Sequence, residues 1–263
     1  MKLTAVFLAA TCVVLQFADA DVSIPDITTL KGPLTNTPVP ATGDGSVTNP
    51  DSTSFGTGTT SRLSLYLPGN VYKDYPGWLP LYKALVFQGI PVKVTKTLSV
   101  ATGHSTVIAY QGLQSKYMAS NEGTTWKNFV NGGKTLIAIG MTSTDSNLKS
   151  IFGVTPDTTT NAKTRQAIML NTPAAAYPIS SVNSQFDLTN TNDAQIPLYA
   201  QDLETSFPTI GYTVQSRVFA LGSYKTSSGS NDTRQAITVK STSNKGQAVA
   251  IGFDVGAYVG QSN

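Results

Sequence analysis

The sequence predicts an α/β protein: a mostly parallel sheet flanked by helices, with a β-rich C-terminal half laid onto it. Three observations lead there. Strand-like and helix-spaced segments alternate from Arg62 to Phe152, the rhythm of β-α-β units. Two strand segments, Thr135–Gly140 (TLIAIG) and Ala248–Gly252 (AVAIG), are apolar on both faces, as strands buried on both sides of a parallel sheet are. After Gly153 the helical spacing stops, and short strand-like runs separated by Ser, Asn and Gly take over.

The elements follow in order. Met1–Ala20 carries Lys2, then an apolar run from Leu3 to Phe17 that is short for a bilayer span, then Ala18-Asp19-Ala20. It is expected to be a secretory signal peptide, cleaved to leave Asp21 first. Residues 21–61 are rich in Pro, Thr, Gly, Ser and Asp and are expected to form a linker. Gly56-Thr57-Gly58-Thr59-Thr60 lacks the terminal glycine of a phosphate loop and precedes a strand, so it is set aside. A single domain then spans 62–263, with its β-rich part over 156–247.

Leu63–Leu67 predicts the first strand, closed by the turn Pro68-Gly69-Asn70. Tyr75–Gln88 predicts a helix with Trp78, Leu81, Tyr82, Leu85 and Val86 on one side, ended by Gly89. Pro91–Thr95, Val107–Tyr110 and Thr135–Gly140 predict the next three strands. Thr124 or Thr125 is expected to cap a helix running to Gly132, and Ser143–Phe152 to form another. Arg165–Leu170, Gln215–Leu221, Gln235–Lys240 and Gln247–Phe253 predict the later strands. The last, apolar on both faces, is expected to rejoin the main sheet. Thr-Arg-Gln-Ala-Ile occurs at Thr164–Ile168 and again at Thr233–Ile237, either by coincidence or because two β elements are alike.

Composition narrows the chemistry. The only cysteine, Cys12, lies in the leader, and the only histidine is His104. The mature chain therefore has no cysteine nucleophile and no set of His and Cys ligands for zinc. Neither metal nor cofactor is expected. Charged residues make up 13% of the chain and net charge is +3, with no basic run interleaved with aromatics, so nucleic acid is not an expected partner. No stretch after the leader is long and apolar enough to predict a membrane span. No G-x-S-x-G elbow is present. His104, in a Gly/Thr-rich loop, is a weak catalytic candidate and reads better as a surface or hydrogen-bonded residue. Asp74, Glu122, Asp145, Asp202, Glu204 and Asp254 are the carboxylates available for glycoside chemistry, though solvated surface acids are the simpler reading. Asn231-Asp232-Thr233 is an N-glycosylation acceptor and would mark Ser227–Thr233 as exposed.

In a parallel α/β sheet, ligands settle beyond the carboxyl ends of the strands. Asn70, Tyr72, Asp74 and Tyr75 are expected there after the first strand, and Tyr110 and Gln111 after the third. Thr142 follows the fourth, and Asp254 and Tyr258 the last. Tyrosine faces suit the C–H side of a pyranose, and amides and carboxylates suit its hydroxyls, so the expected ligand is a sugar. Trp78 and Trp126 sit at helical core spacing and are expected inside.

The segments YLPGNVYKDYPGWLPLYKALVFQG, GKTLIAIG and AVAIGFDVGAYVG resemble the amidotransferase-like α/β domain, flavodoxin-like in layout, that precedes the catalytic domain of secreted polysaccharide deacetylases. The match extends to the N-terminal carbohydrate-binding module of fungal galactosaminogalactan deacetylases and covers Arg62 to Tyr258. Where a true amidotransferase carries its nucleophilic cysteine after a strand such as Leu136–Gly140, this sequence reads Met141-Thr142-Ser143, so that activity is not implied. The resemblance implies a non-catalytic module that grips an extracellular or cell-wall polymer of amino sugars, beside a downstream catalytic domain that this sequence does not contain. A secreted hydrolase using carboxylates or His104, and a wall structural protein with a Thr/Ser-rich stalk, remain the alternative expectations.

Overall fold

The computed structural model describes residues 54–55, 63–75, 77–157, 165–170, 195–196, 209–226 and 231–255. Among the described residues twelve strands form one sheet in a mixed α/β fold. β1 is Ser54–Phe55, β2 Leu63–Tyr66, β3 Val92–Thr95, β4 Thr106–Tyr110, β5 Thr135–Ile139 and β6 Val154–Pro156. β7 is Arg165–Leu170, β8 Gln195–Ile196, β9 Tyr212–Val214, β10 Phe219–Thr226, β11 Asn231–Ser241 and β12 Gln247–Ile251. The helices are α1 (Val71–Asp74), α2 (Trp78–Phe87), α3 (Leu98–Thr102), α4 (Glu122–Asn131) and α5 (Ser146–Phe152).

The main path across the sheet runs β1-β3-β2-β4-β5-β12-β11-β10-β7-β8. The strands from β3 to β12 on this path are parallel. Counted in chain order they lie 2-1-3-4-5, one of the doubly wound orders. Every other pairing is antiparallel. The expected mostly parallel sheet is thus confined to this half, and antiparallel pairings prevail over the sheet as a whole. The reason is connection length. β11 and β12 are joined by a tight turn closed by Thr242 N–H to Gly246 O at 2.8 Å, and so short a link permits only antiparallel neighbours. β12 reaches the side of β5 in parallel because the whole excursion from β6 to β11 intervenes. The last strand does rejoin the main sheet.

The alternation along each parallel strand divides the core between two faces. Leu63, Leu65, Val92, Val94, Ile108, Ile137, Ile139, Val249 and Ile251 share one core cluster with the buried side chains of α2. Val107, Ala109, Leu136, Ala138, Ala248 and Ala250 meet α4 and α5 on the other. Small alanines on the second face leave room for Trp126 and Phe152, both fully buried. Trp78 is fully buried on the first face, its indole N–H donating to Tyr72 O at 3.0 Å. Both tryptophans are core residues, as their spacing predicts.

Several boundaries differ from expectation. The predicted helix Tyr75–Gln88 is one helix that starts later, at Trp78, and a separate short helix, Val71–Asp74, precedes it. Tyr75 lies between the two at φ −133° and ψ 77°, outside the α region that a residue before proline avoids. Gly89 ends α2 as predicted, at φ 72°. α4 begins at Glu122, not after a Thr124 or Thr125 cap, because the Glu122 carboxylate reaches back to accept from Ala119 N–H at 3.3 Å. Gln215–Leu221 is not one strand. Arg217 adopts φ 63° in a turn that separates β9 from β10. Ser54–Phe55, inside the expected linker, adds an antiparallel edge to β3, and its Phe55, the one aromatic between Asp21 and Ser61, packs against the core. The leader and Tyr258 lie outside the described residues. No helix among the described residues is long and apolar enough to cross a membrane.

Candidate functional site

The parallel strands bring their C-terminal ends to one edge, and the loops that leave them carry the expected site. Tyr110 closes β4 and is fully buried. Its hydroxyl donates to Asp254, which follows β12 and is 6% exposed. β5 lies between these two strands, so the contact passes over the exit of β5. That exit is Gly140, at φ 71°, where a Cβ would stand 2.0 Å from the Gln111 side-chain oxygen. A residue with a side chain there would displace the Gln111 amide. Burial, followed by the nearby Asp254 charge and its hydrogen bond, pushes the Tyr110 phenol pKa well above its ordinary value.

Gln111 carries the chain from β4 into its loop in a left-handed conformation, φ 55°, its N–H donating to Ile139 O at 2.7 Å. Its side-chain oxygen accepts from the Gln114 amide. Gln114 in turn accepts from the Tyr75 hydroxyl at 3.2 Å. Both glutamines are buried. A polar relay thus runs from Tyr75 at the rim through Gln114 to Gln111, beside the buried Tyr110–Asp254 pair.

The rim is aromatic and charged. Tyr75 and Tyr117 meet edge to face, centroids 6.2 Å apart at 82°. The Lys116 ammonium lies 5.1 Å from the Tyr75 ring and 4.5 Å from the Tyr117 ring. It also pairs with Asp74 at 3.8 Å, and Asp74 accepts from the Tyr117 hydroxyl. The Tyr117 hydroxyl beside it raises the Lys116 pKa, holding the ammonium charged. Lys73 and Lys96 lie over the Tyr72 ring at 5.4 and 5.5 Å.

The predicted residues therefore divide. Asp74, Tyr75, Tyr110, Gln111 and Asp254 form one assembly at the C-terminal edge. Asn70 is exposed beside it, its carbonyl accepting from Lys73 and Asp74 N–H groups. Tyr72 is 8% exposed and belongs to the core under two lysines, so its ring is not an open stacking face. Thr142 is half-buried in the loop leaving β5. Asn231 opens β11 in backbone register with Lys225, so its acceptor sequence starts in a strand, and Thr233 is exposed.

His104 is 7% exposed, a buried residue and not a surface one. It precedes β4, whereas the site lies past the far end of that strand, about 17 Å away along a five-residue strand. It cannot act at the edge that gathers the other residues. Gln114, Lys116 and Tyr117 were not anticipated. They sit in a loop without periodicity, and only the position of that loop after β4 pointed to them.

Two of the remaining candidate carboxylates have structural duties. Asp145 accepts from Asn147 and Leu148 N–H groups and caps α5. Glu122 accepts from the buried Tyr66 hydroxyl at 3.1 Å. Asp202 and Glu204 lie outside the described residues. Among the described residues no group of three or more His, Cys, Asp and Glu side chains gathers as a metal site would require.

No protein-family model matches the chain, and no curated protein does. Solved structures do. A catalytic mutant of a GH42 beta-galactosidase from G. stearothermophilus matches 79% of this chain and 30% of its own, at 15% identity and a TM-score of 0.52. A beta-galactosidase from Rahnella sp. R3 matches 80% of this chain and 32% of its own, at 13% identity and a TM-score of 0.47. An exo-beta-1,4-mannosidase from an Opitutaceae bacterium matches 77% and 33%, at 11% identity and a TM-score of 0.46. The chain spans about a third of the length of these three structures. At 15% identity the likeness to the G. stearothermophilus enzyme is one of fold, and it is to part of a larger chain.

Proposed function

We propose that this chain is a secreted, non-catalytic carbohydrate-binding module that holds an extracellular or cell-wall polysaccharide at the C-terminal edge of its parallel strands. One observation carries the reading: phenol, amide and carboxylate groups from the ends of β2, β4 and β12 converge in a linked polar array. Its inner members are buried and bonded to one another, and the rim groups of Asp74, Tyr75, Lys116 and Tyr117 above them offer donors and acceptors at fixed spacing, which is what hydroxyl-rich rings require. The 2-1-3-4-5 parallel order supports a flavodoxin-like or amidotransferase-like core, the layout of the deacetylase-associated modules that the sequence resembles. The glycoside hydrolases among the structural matches are consistent with a place inside a carbohydrate-active protein. Amino-sugar polymers belong among the polysaccharides to assay, on the sequence resemblance alone.

The test is retention of the chain on a panel of insoluble polysaccharides. Tyr75→Ala combined with Gln114→Ala should lose retention by about tenfold or more, the scale of two hydrogen bonds. Unchanged retention, with folding intact by circular dichroism, would sink the site.

A second reading rests on Asp74 and Asp254, which share this edge: a hydrolase with a carboxylate pair. It predicts release of reducing ends from the bound polymer, abolished by Asp254→Asn. The binding-module reading predicts no release by wild type or by His104→Ala.

A further inference from the structure

Two buried polar atoms on the α4 side of the sheet take no part in the edge site. Trp126 is fully buried and Glu122 is 6% exposed. Among the described residues, no group meets the Trp126 indole N–H or the second carboxylate oxygen of Glu122, Oε2. The two residues are four apart in α4, about one helical turn, so they share a helix face. Both also border Tyr66, the last residue of β2. The Tyr66 ring meets Trp126 edge to face with centroids 5.4 Å apart, and its hydroxyl donates to Glu122 Oε1 at 3.1 Å. Neither group is free to turn toward the other. Oε1 is held by Tyr66 and by the Ala119 N–H at 3.3 Å, and the indole packs against Phe129 as well as Tyr66.

A donor and an acceptor buried in this way have both lost their hydration, and native interiors rarely leave such groups unmet. Their opposite polarity decides what can meet both. A cation suits the carboxylate but faces the positive end of the indole N–H dipole. An anion suits the N–H but is repelled by the carboxylate. An apolar group suits neither. Water accepts from one, donates to the other, and is small enough for an interior site.

We infer that α4 and β2 enclose a binding site for one resident water, which accepts from the Trp126 indole N–H and donates to Glu122 Oε2. The bridge completes the hydrogen bonding of Glu122. The other oxygen of that carboxylate ties the end of β2 to Ala119, in the loop that carries Gln114, Lys116 and Tyr117 to the rim. The water is thus part of the support beneath that loop, and the inference stands whether or not the edge holds a polysaccharide.

The chain holds two tryptophans, so its nitrogen-15 spectrum carries two indole N–H signals, and Trp78→Phe assigns them. Trp78 is the internal reference, because its N–H already donates to Tyr72 O. In the full chain the Trp126 indole N–H should give a through-space cross-peak to water with the sign of a long-lived contact, and Trp78 should give none. Glu122→Leu should abolish the Trp126 cross-peak, and Glu122→Gln, which keeps a polar group in place, should retain it. A crystal structure of the wild-type chain should show one water within about 2.7–3.2 Å of both atoms. That structure decides the matter even if Glu122→Leu does not fold. A direct indole–carboxylate bond, an ion between the two groups, or no density there overturns the inference. So does the absence of the Trp126 cross-peak in wild type, or its survival in folded Glu122→Leu.

Discussion

The Tyr110 hydroxyl and the Asp254 carboxylate are both shielded from water, so each depends on the other for the hydrogen bond it would otherwise make with solvent. Tyr110→Phe leaves the buried carboxylate short of a donor and is expected to cost about 1–3 kcal/mol, measured by urea unfolding. Gly140→Ala places a Cβ in the left-handed region and against the Gln111 amide. Strain and overpacking together predict a loss of about 2–4 kcal/mol, with weakened polysaccharide retention as its companion. The buried phenols predict an alkaline limit. Burial comes first among the causes that raise the pKa values of Tyr66, Tyr110 and Tyr212 above the ordinary phenol value; carboxylate neighbours add to it. The unfolded chain therefore releases these protons at a lower pH than the fold does. Their contribution is complete below about pH 10 and declines as pH rises beyond it. Unfolding free energy measured between about pH 9 and 11 should fall, and Tyr66→Phe should make that fall shallower.

At the scale of elements, local chemistry decides where helices start. Asp145 caps α5 through two backbone N–H groups, so Asp145→Ala should cost about 1 kcal/mol and Asp145→Asn less, read from denaturant midpoints. α4 starts earlier than its threonines suggest because the Glu122 carboxylate has two partners there, the distant Tyr66 hydroxyl and the local Ala119 N–H. The first of these joins residues 56 positions apart, which no local pattern can show. The repeated Thr-Arg-Gln-Ala-Ile has a clearer outcome. Arg165–Leu170 is β7, Thr233–Ile237 lies within β11, and the two strands flank β10 in antiparallel pairing. The described parts of the two copies are alike as β elements, and they lie on opposite sides of one strand. Of the two expectations for His104, a surface or a hydrogen-bonded residue, the surface position is the one the fold overturns. The chain folds the turn after α3 inward, its N–H bonding to Ala101 O at 3.2 Å, and hydropathy alone does not register such a turn.

For the whole molecule, β12 is the hinge of the architecture, parallel to β5 on one side and antiparallel to β11 on the other. Val249 is fully buried at its centre. Val249→Ala should cost about 1–3 kcal/mol through lost burial and cavity. If the two halves fold as one unit, near-ultraviolet and far-ultraviolet transitions should stay coincident in that variant. Separate transitions would show that the parallel and antiparallel halves melt independently.

Local periodicity and composition were enough to determine the parallel strands, the buried tryptophans, the end of α2 at Gly89 and the edge on which Tyr75, Tyr110, Gln111 and Asp254 gather. Alternation, helical spacing and glycine conformation are properties of a few adjacent residues, and strand order sends successive loop ends to a common side. Only the tertiary structure decided that most pairings are antiparallel, that Tyr72 lies beneath two lysines, and that Gln114, Lys116 and Tyr117 complete the site. It also decided that His104 stands at the wrong edge. Those outcomes depend on which distant segments meet, and burial and charge at a position are set by neighbours that the chain supplies from elsewhere.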